Sequence, residues 1–163
     1  MRGIVRRFVG AAAMLATVAG GLVVGSAVPA SAAGWGCSGS EVSGSPYAVT
    51  NNGAVYSYMH LYYDSASGDN CAVNVKTGSL YGQASFIRVI LVACASDTPS
   101  TCQSASQVVM DPPANDNSTL YSYYAGPVKV HGRGHCLQAS ANTFTPNFAA
   151  EAWWDSGQLS FHC

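Results

Sequence analysis

Charged side chains are scarce in this chain of 163 residues, where aspartate, glutamate, lysine and arginine together make up 9%. Only seven residues are lysine or arginine, and three of these, Arg2, Arg6 and Arg7, lie at the very start. A nucleic-acid-binding protein neutralises a row of phosphates with such residues. We therefore expect no nucleic-acid partner. There is no block of acidic residues either, so hydroxyl and amide side chains must supply most of the polar surface.

Sequence motifs of common catalytic centres are also missing. The chain contains neither the Gly-x-Ser-x-Gly nor the Ser-x-x-Lys motif of serine hydrolases. Zinc needs three or four converging ligands, and only His131 and His135 lie near each other in sequence. A glycosidase needs two converging acids, whereas Glu151 and Asp155 are expected on the polar rim of one hairpin. We expect no catalytic residues, no metal and no cofactor, although a small hydrolase using His131 or His135 stays an alternative.

The first 32 residues have the pattern of a secretory signal peptide. An arginine-containing start precedes the apolar run Phe8 to Val24, and Ala30-Ser31-Ala32 is a small-x-small cleavage site. We predict a helical signal peptide over residues 1–32, with cleavage before Ala33. A membrane anchor is the alternative, but the segment is rich in glycine and lacks a following basic stop. The expected product is secreted and has no stable membrane anchor.

Residues 33–163 are enough for one domain and too few for two domains of ordinary size. They hold four basic side chains against eight acidic ones, a formal charge of −4. We expect a single all-β domain over this range, working as a monomer.

Six cysteines follow the predicted cleavage site, namely Cys37, Cys71, Cys94, Cys102, Cys136 and Cys163. An even number in an exported domain predicts three disulfides, for which fifteen pairings are possible. Cys94 and Cys102 bracket a short loop that can fold back, so we predict that they pair. Chain order suggests Cys37–Cys71 and Cys136–Cys163 for the rest. Each bridge would contribute about 2–4 kcal/mol to stability.

Short segments of alternating apolar and polar residues predict a small disulfide-stabilised antiparallel sandwich or barrel. The segment Ala54–Tyr63 follows Asn51-Asn52-Gly53, and Asn-Gly between two such segments is a strong hairpin signal. Phe86–Cys94 is rich in β-branched residues, which predicts a central strand covered on both faces. No strong helix pattern is found after the signal peptide.

Two further stretches carry specific expectations. In Tyr121–His131, Gly126-Pro127 predicts a break between two strands or a bulge, because proline has no N–H to donate. Towards the end we expect a loop over Asn142–Asn147 and a last hairpin formed by Phe148–Trp154 and Gln158–Cys163.

Aromatic residues supply the candidate binding residues. A row of tyrosines on one strand face, together with two tryptophans beside a turn, offers flat rings and hydroxyls that suit contacts with glycan or protein. The alternative is that the rings pack inside, because a small sandwich needs large residues in its core. The candidates are Tyr56, Tyr58, Tyr62, Trp153 and Trp154. The expected partner is cell-wall or surface glycan, or another secreted protein.

A secreted protease inhibitor is a further alternative. Such a protein displays a rigid extended loop, and either the Cys94–Cys102 loop or Met110-Asp111-Pro112-Pro113 could serve. Loops of this kind are also common as plain connectors.

Four pieces of sequence occur together: Gly36-Cys37, the Ser65–Cys71 turn of pattern Ser-x-Ser-Gly-x-Asn-Cys, Tyr124-Ala-Gly-Pro-Val128, and the pair Cys136 and Cys163. In these pieces the chain resembles the spore-associated protein A family, small exported proteins of filamentous, spore-forming bacteria. The resemblance implies a protein of the cell or spore surface and supplies no catalytic residues. The chain departs from the family in Cys94–Cys102 and in a longer, tryptophan-rich C-terminal part. If the shared framework has four cysteines, the resemblance makes Cys94–Cys102 the added bridge.

Overall fold

The computed structural model describes residues 34–97, 102, 104–157 and 162–163. The predicted signal peptide, residues 1–32, lies outside this part. Within the described residues no helix is both long enough and apolar enough to cross a membrane. The three disulfides are Cys37–Cys71, Cys94–Cys102 and Cys136–Cys163, as predicted. They indicate an oxidising environment of the extracellular kind.

The fold is all-β and antiparallel, as predicted, with nine strands in the described part of the chain. Their bounds are β1 Ser40–Glu41, β2 Tyr47–Asn51, β3 Ala54–Asp64, β4 Asp69–Lys76, β5 Ile87–Cys94, β6 Ala105–Asp111, β7 Tyr124–His131, β8 Leu137–Phe144 and β9 Glu151–Asp155. The order in the sheet is β6-β5-β8-β9-β2-β3-β4-β7, with β1 added to β3. Because β7 also lies against β5 and β6, the sheet curls into a nearly closed barrel.

Local sequence signals account for two of the connections. Asn52 and Gly53 have φ values of 48° and 82°, the left-handed conformation that an Asn-Gly hairpin turn requires. This turn joins β2 to β3, as predicted. The stretch with Gly126-Pro127 is one strand, β7, and its pairing with β4 shifts register opposite this dipeptide. The bulge expectation is therefore confirmed, and the expectation of two separate strands was wrong.

The barrel closes between β6 and β7, and we call this junction the seam. Hydrogen bonds from the backbone of β7 to side chains of β6 take the place of backbone pairing there. Asp111 Oδ2 accepts a hydrogen bond from Gly126 N at 2.5 Å. Gln107 Oε1 accepts one from His131 N at 2.7 Å. Two N–H groups on the edge of β7 are thus satisfied by side chains of β6, which joins the first and last strands of the sheet order.

The strand that is buried throughout is β4 and not β5. On β5 the side chains that point inward are fully buried, while Arg88, Ile90 and Val92 on the outer face are only half-buried. The prediction that this strand is covered on both faces was therefore wrong. On β4 every residue from Asn70 to Lys76 is buried. Its outer face is covered by a cluster that contains Tyr62 and the Cys37–Cys71 bridge.

The inner face of β4 places polar groups in the core. Asn74 is fully buried and its Nδ2 donates to Arg88 O at 3.1 Å and to Asn142 O at 3.2 Å, which links β4 to β5 and β8 across the interior. It also lies 3.2 Å from Thr143 Oγ1, which bonds Ser57 Oγ at 2.6 Å. Hydrogen bonds of this kind offset the cost of burying the amide and hydroxyl groups, and among the described residues only Asn74 Oδ1 of this network has no partner.

Lys76 ends the same strand and is only 2% exposed. Its Nζ donates to Gln83 O at 2.7 Å and to Tyr121 O at 2.6 Å. It also donates to Ser85 Oγ at 2.6 Å and Ser85 O at 3.2 Å. The ammonium therefore ties the segment after β4 to the segment before β7 at one end of the barrel.

The C-terminal part differs from its prediction. Strand β8 continues to Phe144 through the first part of the predicted loop, and only residues 145–150 turn. Strand β9 pairs with β8 and with β2, so its hairpin partner is the preceding strand. Residues 158–161, most of the predicted partner strand, lie outside the described residues.

Candidate functional site

A row of outward-facing residues crosses four neighbouring strands. Arg88 on β5 lies opposite Asn142 on β8, Asn142 lies opposite Trp153 on β9, and Trp153 lies opposite Thr50 on β2. Strands are about 5 Å apart, so this row spans roughly 15 Å of the outer face. The inward neighbours in these strands, such as Ala141 and Ala152, are buried in the core, which fixes the outward direction of the row.

Trp153 is the most exposed large hydrophobic residue in the described part of the chain, at 63%. It lines a shallow concavity of about 210 Å³ together with Arg88, Asn142, Glu151 and Asp155. We call this set of five residues the Trp153 face. An exposed indole surrounded by polar and charged groups offers a flat apolar surface with hydrogen-bonding groups at its edge.

Arg88 is held in place and joins two concavities. One of its terminal nitrogens, Nη2, donates to Asp116 O at 2.8 Å and to Asn117 Oδ1 at 3.1 Å. Its guanidinium carbon lies 4.8 Å from the centre of the Phe86 ring, a cation–π contact. Among the described residues its buried Nε has no hydrogen-bond partner.

The second concavity, of about 240 Å³, adjoins the first and shares Arg88 and Asn142 with it. Its wall is a cluster of three phenylalanines. The Phe86 and Phe144 ring centres are 5.7 Å apart, and those of Phe144 and Phe148 are 5.4 Å apart. Phe148 is half exposed, so aromatic surface continues beyond the Trp153 face.

The five candidate binding residues do not form one patch. Tyr56 and Tyr58 are half-buried on β3, and Tyr62 is 95% buried in the cluster beside the Cys37–Cys71 bridge. Burial raises the pKa of Tyr62 above its usual range. Trp154 points away from the Trp153 face and stacks on Tyr47, with ring centres 4.4 Å apart. Of the five, only Trp153 is exposed, and it lines a concavity.

The histidines have structural partners. His131 Nδ1 lies 3.1 Å from Asp69, and His60 Nδ1 lies 2.7 Å from Glu41. His135 Nδ1 bonds Cys94 O at 2.7 Å. In the described ranges, no three histidine, cysteine or acidic side chains converge as metal ligands would.

A third concavity, of about 380 Å³, lies near the Cys136–Cys163 bridge and is lined in part by Asp97, Arg133, His135 and His162. Desolvation lowers the pKa of His162, whose Nε2 lies 2.7 Å from the Tyr47 hydroxyl. No serine lines this concavity among the described residues. Among these residues His135 therefore has a carboxylate, Asp97, but no serine in the same concavity.

The candidate inhibitory segment Met110-Asp111-Pro112-Pro113 is tied to the rest of the fold. Pro112 is buried, and Asp111 is bonded to both the Tyr121 hydroxyl and Gly126 N. Arg88 binds Pro113 O at 3.2 Å. Of the seven residues between Cys94 and Cys102, four, residues 98–101, lie outside the described residues.

Arg88, Asn142, Glu151 and Asp155 were not among the binding residues predicted from the sequence. The signal for two of them was present, because Glu151, Trp153 and Asp155 alternate along one strand and must share a face. No sequence signal places Arg88 and Asn142 beside them, since their proximity depends on the pairing of β5 with β8 and of β8 with β9.

Comparison of the chain with family models, with curated proteins and with solved structures finds no match. The resemblance to the spore-associated protein A family stays a prediction.

Proposed function

We propose that the protein is a secreted, non-catalytic binding module that attaches to glycan at the surface of a cell or spore. The observation that carries this proposal is Trp153, exposed at 63% in a concavity to which Arg88, Asn142, Glu151 and Asp155 contribute polar or charged groups. Flat sugar rings pack their C–H faces on such an indole, and the surrounding amide and carboxylates bind hydroxyl groups. The resemblance noted above supports a surface location.

The separation of the two carboxylates favours binding over hydrolysis. Glu151 and Asp155 are four residues apart on β9, so their Cα atoms are about 14 Å apart. The carboxylates of glycoside hydrolases are about 5–10 Å apart and face each other across the bond to be cleaved. These two side chains instead leave the sheet in parallel, on either side of Trp153.

A sedimentation assay tests the proposal. The protein, recovered with its disulfides intact, is mixed with insoluble bacterial cell-wall sacculi, chitin and cellulose, and the bound fraction is measured. We expect binding to at least one of these polysaccharides, weakened tenfold or more by Trp153→Ala, because an exposed tryptophan anchor dominates such contacts. Tyr81→Ala is the control, since Tyr81 is 55% exposed but lies outside the site.

Binding that survives Trp153→Ala unchanged, or no binding to any polysaccharide, would contradict the proposal. A small hydrolase is the second candidate, favoured by the single observation that His135 and Asp97 line one concavity. Loss of a sugar- or ester-cleaving activity in His135→Ala, with sedimentation unchanged, would favour that candidate.

A further inference from the structure

The Trp153 face carries a carboxylate on each side of its indole. Glu151, Trp153 and Asp155 occupy alternate positions of β9, so all three side chains leave the same face of the sheet. Both acids are exposed and start about 7 Å from Trp153 along the strand. All three line the same concavity.

These two carboxylates have no cationic partner within the described residues. The ion pairs of this part of the chain are His60–Glu41 and His131–Asp69. Glu151 accepts a hydrogen bond from Asn142 Nδ2 at 3.0 Å, and Asp155 accepts one from Gly157 N at 2.7 Å. Both donors are neutral, so the negative charges beside Trp153 are left uncompensated.

Arg88 is the one basic residue that lines the same concavity, but its charge is directed elsewhere. Its Nη2 binds the loop before β7 through Pro113 O, Asp116 O and Asn117 Oδ1. Its strand lies two strand spacings from β9, about 10 Å, whereas Glu151 and Asp155 lie on the same strand as Trp153. The immediate surroundings of the indole are therefore negative.

We infer that the Trp153 face selects a glycan whose sugars carry free, protonated amino groups, a deacetylated hexosamine polymer. The inference rests on the proposed function. A sugar ring stacked on Trp153 places its ammonium group within reach of Glu151 or Asp155, and the indole itself attracts a cation near its face. An N-acetylated sugar presents a neutral amide at that position, so it gains neither contribution.

A polymer of sugars fits this face better than a basic peptide does. The residues that flank Trp153 across the sheet, Asn142 and Thr50, offer an amide and a hydroxyl to ring hydroxyl groups. The face carries only two uncompensated carboxylates, whereas a lysine-rich peptide would need a longer acidic surface to bind tightly.

The test compares two oligosaccharides that differ only in acetylation. The β-1,4-linked hexamers of glucosamine and of N-acetylglucosamine are titrated into the protein at about pH 6, and binding is followed by tryptophan fluorescence and calorimetry. We expect the glucosamine hexamer to bind at least tenfold more tightly. Trp153→Ala should abolish binding of both hexamers.

Two charge variants make the test specific. Glu151→Gln combined with Asp155→Asn should remove the preference for glucosamine, so that the two hexamers bind with equal affinity. The control is Glu41→Gln combined with Asp69→Asn, which changes the net charge equally on β1 and β4, outside the Trp153 face. It should keep the preference.

The outcomes separate the inference from the proposed function. Equal affinity for both hexamers, lost in Trp153→Ala, would overturn the inference and leave glycan binding intact. Failure of both hexamers and of all insoluble polysaccharides would overturn the proposed function itself. Hexalysine that binds as tightly as the glucosamine hexamer would show selection for positive charge alone and would also overturn the inference.

Discussion

Lys76 provides a sharp test of the packing described above, because this lysine is 98% buried and its ammonium donates only to neutral oxygens. Burial lowers the pKa of Lys76 from 10.5 to about 8. The ammonium form still predominates in the folded protein at pH 7, since its N–H groups reach backbone and hydroxyl acceptors. The perturbation is Lys76→Met, which keeps most of the apolar stem and removes the charge.

Two effects of this change oppose each other at pH 7. Lowering the pKa of Lys76 from 10.5 to about 8 corresponds to about 3 kcal/mol, and the Lys76→Met variant no longer bears that cost of burying a charge. Against this gain, Ser85 O and Ser85 Oγ lose their donor in a fully buried position, at about 1–3 kcal/mol each. The net effect on stability at pH 7 is therefore small, between a gain of about 1 kcal/mol and a loss of about 3 kcal/mol.

The pH dependence of the difference is the larger signal. Between about pH 8 and pH 10.5 the unfolded chain holds the Lys76 proton while the folded protein has released it. Stability of the parent protein therefore rises with pH in this window, by at most about 1.4 kcal/mol per pH unit. Because Lys76→Met lacks this contribution, its free energy of unfolding should fall relative to that of the parent protein by about 2 kcal/mol between pH 7 and pH 10.

The assay is guanidinium unfolding followed by tryptophan fluorescence at pH 7, 8, 9 and 10, with the free energy of unfolding taken from linear extrapolation. The scan stops at pH 10. The pKa of Tyr121 is raised to about 12 in the folded protein, so above pH 10 this tyrosine ionises in the unfolded chain before it does in the folded protein, and stability falls. Lys129→Met, at an exposed lysine of β7, is the control. If the difference in free energy of unfolding between Lys76→Met and the parent protein stays constant from pH 7 to pH 10, the lowered pKa of Lys76 is refuted.

Two further predictions concern the seam and the turn after β7. Tyr121→Phe removes the hydroxyl that donates to Asp111 Oδ1 at 2.7 Å, so unfolding in urea should show a loss of about 1 kcal/mol; no loss would mean that this bond adds nothing to the seam. Gly132→Ala should destabilise by about 1–3 kcal/mol, because the new Cβ would clash with the buried Asn70 Oδ1. In a background of Asn70→Ala the same change should cost much less, and equal costs in both backgrounds would contradict the clash.

The sequence predicts most strands of the barrel because alternation survives wherever one face is buried. On β3, Ser57, Met59 and Leu61 point inward and are buried, while Tyr56 and Tyr58 alternate with them on the outer face. The same reasoning fails on β4. Its inward residues include Asn74 and Lys76, whose polarity predicts exposure, and only the cross-core hydrogen bonds explain why they are buried.

The candidate site is less predictable than the fold, because it depends on long-range pairing. Local alternation places Glu151 and Asp155 beside Trp153, but Arg88 joins them from a strand more than 60 residues earlier in the chain. Long-range packing also decides which tyrosines of β3 are exposed. They do share one face, but the N-terminal segment and the Cys37–Cys71 bridge cover Tyr62, which no local pattern reveals.

The polar core and the outer site are two sides of the same strands. Asn74 inside the barrel donates to the backbone carbonyls of Arg88 and Asn142, whose side chains belong to the Trp153 face outside. A hydrogen-bonded amide fixes the relative position of β5 and β8 at this pair more tightly than apolar contacts would, because its donors demand specific distances and angles. Asn142 in turn bonds Glu151, so the constraint reaches one carboxylate beside the indole. The buried asparagine thus explains how a shallow, solvent-exposed surface can hold its binding groups in a fixed arrangement.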